Sequence, residues 1–202
     1  MKKILLPLIT LISFSFANAQ SKEKGTIEIT PKIGYSSFSE NNENDNTDSN
    51  SGVAFGATAD YYFNNRWSLR SGLVFNKMGA EYNYIGGVWE DKLNYLSIPL
   101  NANWHFGSTR KWNLNFGLSP SFLLNAEVND PAGNSIKITD NNIKSFQLGL
   151  TFGIGYKIEV TKKFGILIDY QGFAGLTNIN NASGSNIRNN GDGFNIGGVI
   201  EL

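Results

Sequence analysis

The sequence predicts an all-β fold: a closed, eight-stranded, antiparallel up-and-down barrel that crosses a membrane. Three observations point there. Apolar and polar residues alternate with a period of two through eight segments, the signature of strands that meet an apolar medium on one face and a polar one on the other. The apolar phase of every segment is free of Asp, Glu, Lys and Arg. The connections alternate short and long along the chain, as turns on one side of a membrane and loops on the other would.

The first element is a leader. Met1-Lys2-Lys3 is a basic start, 4–16 is an apolar run, and Ala17-Asn18-Ala19 fits an A-x-A cleavage site. The expected division is therefore a signal peptide over 1–19, with Gln20 as the new N-terminus, and one barrel domain over 20–202. A membrane anchor is the competing reading. A helix of about 13 residues reaches only about 20 Å, short of a hydrocarbon core of about 30 Å, and Pro7 interrupts the run.

The first segment sets Ile27, Ile29, Pro31, Ile33 and Tyr35 against Glu28, Thr30, Lys32 and Gly34. The second sets Val53, Phe55, Ala57, Ala59, Tyr61 and Phe63 against Ala54, Gly56, Thr58, Asp60 and Tyr62. In the third, Trp67, Leu69, Ser71, Leu73 and Phe75 oppose Ser68, Arg70, Gly72, Val74 and Asn76. The fourth and fifth cover 96–106 and 112–124. Pro99 and Pro120 sit inside them, and in a barrel without edges a local bulge is expected at each. The sixth, 146–160, is the most regular, and 164–174 and 194–202 complete the set.

Which medium is apolar follows from length and from the opposite face. Strands of soluble folds are typically about 5–6 residues long, whereas most of these run about 9 or more, enough to cross a bilayer at a tilt. The polar phase is rich in Gly, Ser, Thr and Asn, the inverted pattern of a barrel with lipid outside and polar side chains within. A Lys or Arg facing lipid at mid-depth costs about 2–4 kcal/mol, which accounts for the uncharged phase. Short turns are expected at 64–66, 107–111 and 161–163, and long polar loops at 39–50, 81–92, 127–144 and 177–192. With the short turns periplasmic, Phe63, Trp67, Trp104, Phe106, Trp112 and Phe164 form one aromatic girdle. Tyr35, Phe55, Phe75, Phe122, Phe146 and Phe194 form a second girdle toward the extracellular side. The expected location is the cell outer membrane of a Gram-negative bacterium, with its lipids as partners.

Composition removes several classes of function. The chain of 202 residues has no Cys, which excludes a disulfide scaffold, a thiolate metal site and a cysteine nucleophile. A formal net charge of 0 gives no electrostatic footprint for nucleic acid. No cofactor or metal is expected, and no catalytic residue. Eight strands enclose a space that side chains fill, so the lumen is expected to hold a polar network. Its expected members are Glu28, Lys32, Asp60, Arg70, Lys157, Asp169 and Glu201, with Asp60 directly across from Arg70. His105, the only His, is expected as an interior hydrogen-bonding group rather than part of a Ser–His–Asp set. The run Glu40-Asn41-Asn42-Glu43-Asn44-Asp45-Asn46-Thr47-Asp48 reads as a solvated acidic loop, lacking the spacing of an EF-hand.

Tyr95-Leu96-Ser97-Ile98-Pro99-Leu100 resembles the "YLxIPL" strand of the PorT-like outer-membrane β-barrel family of Bacteroidetes-type bacteria. The resemblance continues through 73–79, 116–124, 148–156 and Gly175-Leu176-Thr177-Asn178-Ile179. The ending Asn195-x-Gly197-x-x-Ile200-x-Leu202 is similar to the C-terminal signal read by the barrel-assembly machinery, but has Ile200 and Leu202 where aromatics are usual. The resemblance implies an eight-stranded outer-membrane barrel, insertion by that machinery, and no catalytic residues. The family's namesake takes part in secretion and gliding. Two roles are therefore open: a non-enzymatic barrel acting through its extracellular loops or in envelope structure, and an accessory subunit of a secretion or surface-assembly complex. A lipid-modifying barrel enzyme is the outsider.

Overall fold

Alternating side chains can satisfy two media at once only if the strands pair into a sheet without free edges, and the chain does this. The computed structural model describes residues 22–42, 47–84, 86–138, 142–182 and 185–202. The leader with Ala17, Ala19 and Gln20, and part of the acidic run, lie outside the described residues. The strands in order are β1 (Ile27–Asn42), β2 (Asp48–Tyr62), β3 (Trp67–Met78), β4 (Ala80–Tyr84), β5 (Gly87–Ser97) and β6 (Leu100–Phe106), followed by β7 (Trp112–Asn129), β8 (Ser135–Lys137), β9 (Phe146–Glu159), β10 (Phe164–Gly175) and β11 (Ile187–Glu201). Among the described residues all strand pairings are antiparallel, and β11 pairs back onto β1, so the sheet closes into a ring with β8 outside it.

Among the described residues eleven strands stand where eight were expected: β8 is a short addition paired with β7, and the other two have local reasons. Gly79 adopts a φ of 125° between β3 and β4, a conformation that favours glycine. A Cβ there would also collide with the Asp91 carbonyl oxygen. The second reason is the Ile98-Pro99 step, which parts β5 from β6, although both pair with β3 on one side and β7 on the other.

The prolines are accommodated differently from the expected bulge at each. β7 runs straight through Pro120, in unbroken register with β9. The Pro120 carbonyl accepts a hydrogen bond from Ile98 N at 2.9 Å, so its nitrogen faces the same side, where β5 gives way to β6. The N–H that proline lacks would thus point at a break, and no ladder bond is lost. The register shift itself falls at Asn94/Tyr95.

The short turns lie where expected. The Asn64 side chain accepts from Arg66 N and Trp67 N at 2.8 and 3.1 Å, and Thr161 Oγ1 accepts from Phe164 N at 3.0 Å; both are side-chain mimics of a backbone turn. The expected long loops are in large part strand instead: β1 and β2 continue to Asn42 and Asp48, β4 pairs β5, and β7 pairs β8. Backbone pairing continues past the apolar girdle because water does not prevent a hairpin whose inner side packs on a cluster. That cluster is Phe38, Met78, Leu93, Tyr95, Ala126, Phe173 and Ile179.

Burial decides which face is which. Ile33, Phe116 and Phe152 are 55%, 57% and 55% exposed, whereas Thr30, Asn103 and Ser121 are 1%, 0% and 0% exposed. A water-soluble domain rarely leaves so broad an apolar surface uncovered; lipid covers it here.

Candidate functional site: the lumen and its two mouths

The inward phase stacks the polar side chains in tiers. At the short-turn mouth, Glu28 on β1 holds Lys157 of β9 at 2.9 Å and Lys22, from the segment preceding β1, at 2.8 Å. The Tyr62 hydroxyl donates to the same carboxylate at 2.8 Å, and Lys22 also bonds Glu201. One carboxylate thus neutralises two buried ammonium groups with help from a second, which a low-dielectric interior demands.

The next tier centres on Asp60. Arg70 Nε donates to its Oδ2 at 3.0 Å, and Ser68 Oγ and Asn103 Nδ2 each donate to Oδ1 at 2.8 Å. Asp60 and Arg70 are register partners across β2 and β3. Arg70 Nη1 and Lys32 Nζ both approach Asp169 Oδ2, at 3.7 and 3.8 Å, and Gln171 donates to that oxygen at 3.1 Å. Two cations and two carboxylates therefore balance at mid-height. All seven luminal residues named from the sequence lie in these two tiers. Glu28, Lys157 and Glu201 gather at the mouth with Lys22, while Lys32, Asp60, Arg70 and Asp169 form the charged centre.

Asp60, Ser68 and His105 meet, an arrangement the sequence reading did not foresee. Their order matters. Ser68 Oγ lies 2.9 Å from His105 Nε2 and donates its only proton to Asp60. The imidazole must therefore act as the donor at Nε2, so it cannot take a proton from this hydroxyl as a general base does. Ser68 is 1% exposed, His105 is stacked on Tyr62 at 4.8 Å, and the set is a structural bond chain.

Above the charged centre, Asn101 bonds Asn115 and Thr151 at 2.8 and 2.7 Å, and Ser97 bonds Ser121 at 2.8 Å. A cavity of about 80 Å³ lies between Lys32, Arg70 and Thr58 on its polar side and Phe38, Val74 and Phe173 on its apolar side. The apolar cluster roofs it. Phe38 and Phe173 meet edge to face at 6.1 Å, and Tyr95 and Leu93 are 0% exposed. The roof is the part of the site missed from sequence, although Phe38 and Phe173 both fall on the inward phase of their strands. Beyond it, Glu40 is buried with the Tyr82 hydroxyl 2.6 Å from its Oε2. Burial, reinforced by Asp91, pushes this carboxyl up to about 7 against the Tyr82 hydrogen bond. Burial likewise raises Asp91 to about 6. Among the described residues no three His, Asp or Glu side chains converge as a metal site.

Outside, aromatic rings circle the short-turn end. Trp67 and Trp104 lie 6.3 Å apart, Trp104 and Phe106 5.1 Å, Phe106 and Trp112 6.2 Å, and Trp112 and Tyr156 4.8 Å. Phe63 packs on Tyr61 at 5.5 Å, and Phe164 covers Gly198. At the far end, Phe55 stacks on Phe75, Phe122 on Phe146 and Tyr170 on Phe194.

Comparisons agree with this geometry. The family described as outer membrane protein beta-barrel domain matches residues 18–181. Among solved structures, Neisserial surface protein A (NspA) superposes with a TM-score of 0.53 at 13% identity, covering 86% of this chain and 97% of that one. The outer membrane protein OprG from Pseudomonas aeruginosa gives 0.52 at 12% identity, covering 89% and 97%. At these identities the likeness is one of fold. No curated protein matches the chain.

Proposed function

The chain belongs to the family of outer-membrane β-barrel domains and resides in the outer membrane of a Gram-negative bacterium; from that premise we propose that it is a non-enzymatic, side-chain-filled barrel acting through its extracellular hairpins or in envelope structure. The carrying observation is the filled lumen. Two charged tiers, an amide tier and an apolar roof succeed one another from mouth to mouth, leaving at mid-height a cavity of about 80 Å³, room for a few waters. Eight staves are the natural reading of the strands: β4 continues β3 beyond Gly79, β5 and β6 share one place in the ring, and β8 hangs on β7 alone. A barrel of that size has an interior that side chains fill. The test is solute flux. Reconstituted in liposomes, the protein is expected to give no swelling with sugars or amino acids and no stable conductance steps. Size-dependent swelling would overturn the filled-lumen reading. The donor role of His105 supports the absence of catalysis, and His105→Ala is expected to leave the cell's lipid composition unchanged.

A second reading, an accessory subunit of a secretion or surface-assembly complex, draws on the PorT-like strand Tyr95-Leu96-Ser97-Ile98-Pro99-Leu100. Those residues line the roof at Tyr95 and set the strand break at Ile98-Pro99. Co-purification from solubilised outer membrane of a stoichiometric partner would favour this role, and recovery of the barrel alone would favour the first.

A further inference from the structure

The two ends of the barrel differ in charge, and the difference is concentrated in the turns. The three short turns carry Arg66, Arg110, Lys111, Lys162 and Lys163 and not one Asp or Glu. Lys24 lies at the same end. The carboxylates of that end are engaged: Glu28 with Lys22 and Lys157, Glu201 with Lys22, and Glu159 with Lys111 at 3.5 Å. Among the described residues of that end Lys24, Arg66, Lys162 and Lys163 remain exposed, with Arg110 half-buried, against the exposed side-chain carboxylate of Glu23. The opposite end has the reverse balance, with Asp48, Glu81, Glu90, Asp91, Glu127 and Asp130 outnumbering its lysines.

The position of this basic ring relative to the aromatic belt says what it meets. Arg66 is bonded to Trp67 in the chain, Lys111 to Trp112 and Lys163 to Phe164. Trp and Phe belts settle at the boundary between hydrocarbon and headgroups. Side chains one residue further out, on flexible stems of several ångströms, therefore stand at the depth of lipid phosphates. We propose that the periplasmic rim is a binding surface for anionic phospholipid headgroups of the inner leaflet, with Arg66, Lys162 and Lys163 as its principal contacts and the ring belt fixing their depth. The proposal rests on lipid contact at the outward face and on the short turns being periplasmic. It adds a preference for headgroup charge that neither requires.

The experiment uses the full barrel in phosphatidylcholine bilayers doped with spin-labelled phosphatidylglycerol or spin-labelled phosphatidylcholine, comparing the motionally restricted fraction of each label. The wild-type barrel is expected to hold phosphatidylglycerol preferentially, with the preference shrinking at high salt because the contacts are solvent-exposed. At low salt each cation removed is expected to lower relative association by up to about fivefold. Arg66→Gln/Lys162→Gln/Lys163→Gln should therefore abolish the preference, while Lys137→Gln/Lys144→Gln at the other end leaves it intact. Equal association of the two labels with wild type, or a preference that survives the triple change, overturns the proposal. So does binding of a soluble anionic polymer at this rim without lipid preference. Co-flotation with vesicles and heat-modifiable gel mobility are read in parallel. A barrel that fails to incorporate refutes lipid contact at the outward face itself; one that incorporates without preference refutes only the rim.

Discussion

Asp60 shows how a single buried charge organises its surroundings. It accepts from Arg70, Ser68 and Asn103, and Ser68 in turn orders His105. Asp60→Ala leaves the Arg70 guanidinium with only Asp169, 3.7 Å from Nη1. Removing one partner of a buried pair costs about 3–5 kcal/mol, and urea unfolding in phospholipid vesicles is expected to show a loss of that size. A loss under about 1 kcal/mol would mean that water from the adjacent cavity solvates Arg70. The Asp60–Arg70 pairing was legible because the turn at 64–66 is short and fixes the register, so that counting outward from Phe63 and Trp67 puts the two opposite each other. The convergence of Lys32 and Asp169 on the same point was not, since β11 stands between their strands and Arg70 reaches Asp169 across the lumen, whereas period-two reasoning stops at the neighbouring strand. Lys22 was hidden for another reason: it precedes the first alternating residue, where no pattern marks an inward direction.

At the scale of elements, the hairpins beyond the outer girdle are held by both apolar and ionisable contacts. Glu40 on β1 meets Tyr82 on β4, and Asp91 on β5 adds its charge. Since folding raises the Glu40 carboxyl from its ordinary 4.5 to about 7, the packed hairpins bind that proton more tightly than the open ones do. Their packing is therefore strongest below about pH 4.5 and weakens as pH rises through 7; Asp91 adds to this from its ordinary 3.8 up to about 6. Amide hydrogen exchange, corrected for its intrinsic pH dependence, is expected to show faster opening of the tips of β1, β4 and β5 at pH 8 than at pH 5. In Glu40→Gln most of that difference should disappear. A wild-type tip whose opening does not vary over this range would refute the coupling. That these stretches form strands was not readable. Their sequence is polar, and polar loops and polar hairpins have similar composition; the distinction lies in Phe38, Met78 and Leu93, which pack beneath them. The prolines were readable as a difficulty and not as its solution, because Pro120 and the Ile98-Pro99 step relieve each other only once the strands are side by side.

For the whole molecule, the decisive property is which face is greasy, and this was plain in the sequence because the uncharged phase repeats in every segment. Phe152 lies midway along β9, outward and 55% exposed. Phe152→Arg is expected to destabilise the barrel by about 2–4 kcal/mol in phospholipid vesicles, measured by urea titration. A change near zero would mean that water, not hydrocarbon, bathes this position. The seam between β1 and β11 carries a further consequence. Its partners, such as Glu28 and Glu201, belong to the first and last strands of the ring, so nothing synthesised before β11 can complete the cylinder. Every shorter nascent product exposes two unsatisfied borders that hydrocarbon would not tolerate. Sealing therefore waits for β11, and until then the chain depends on whatever shields such borders in transit.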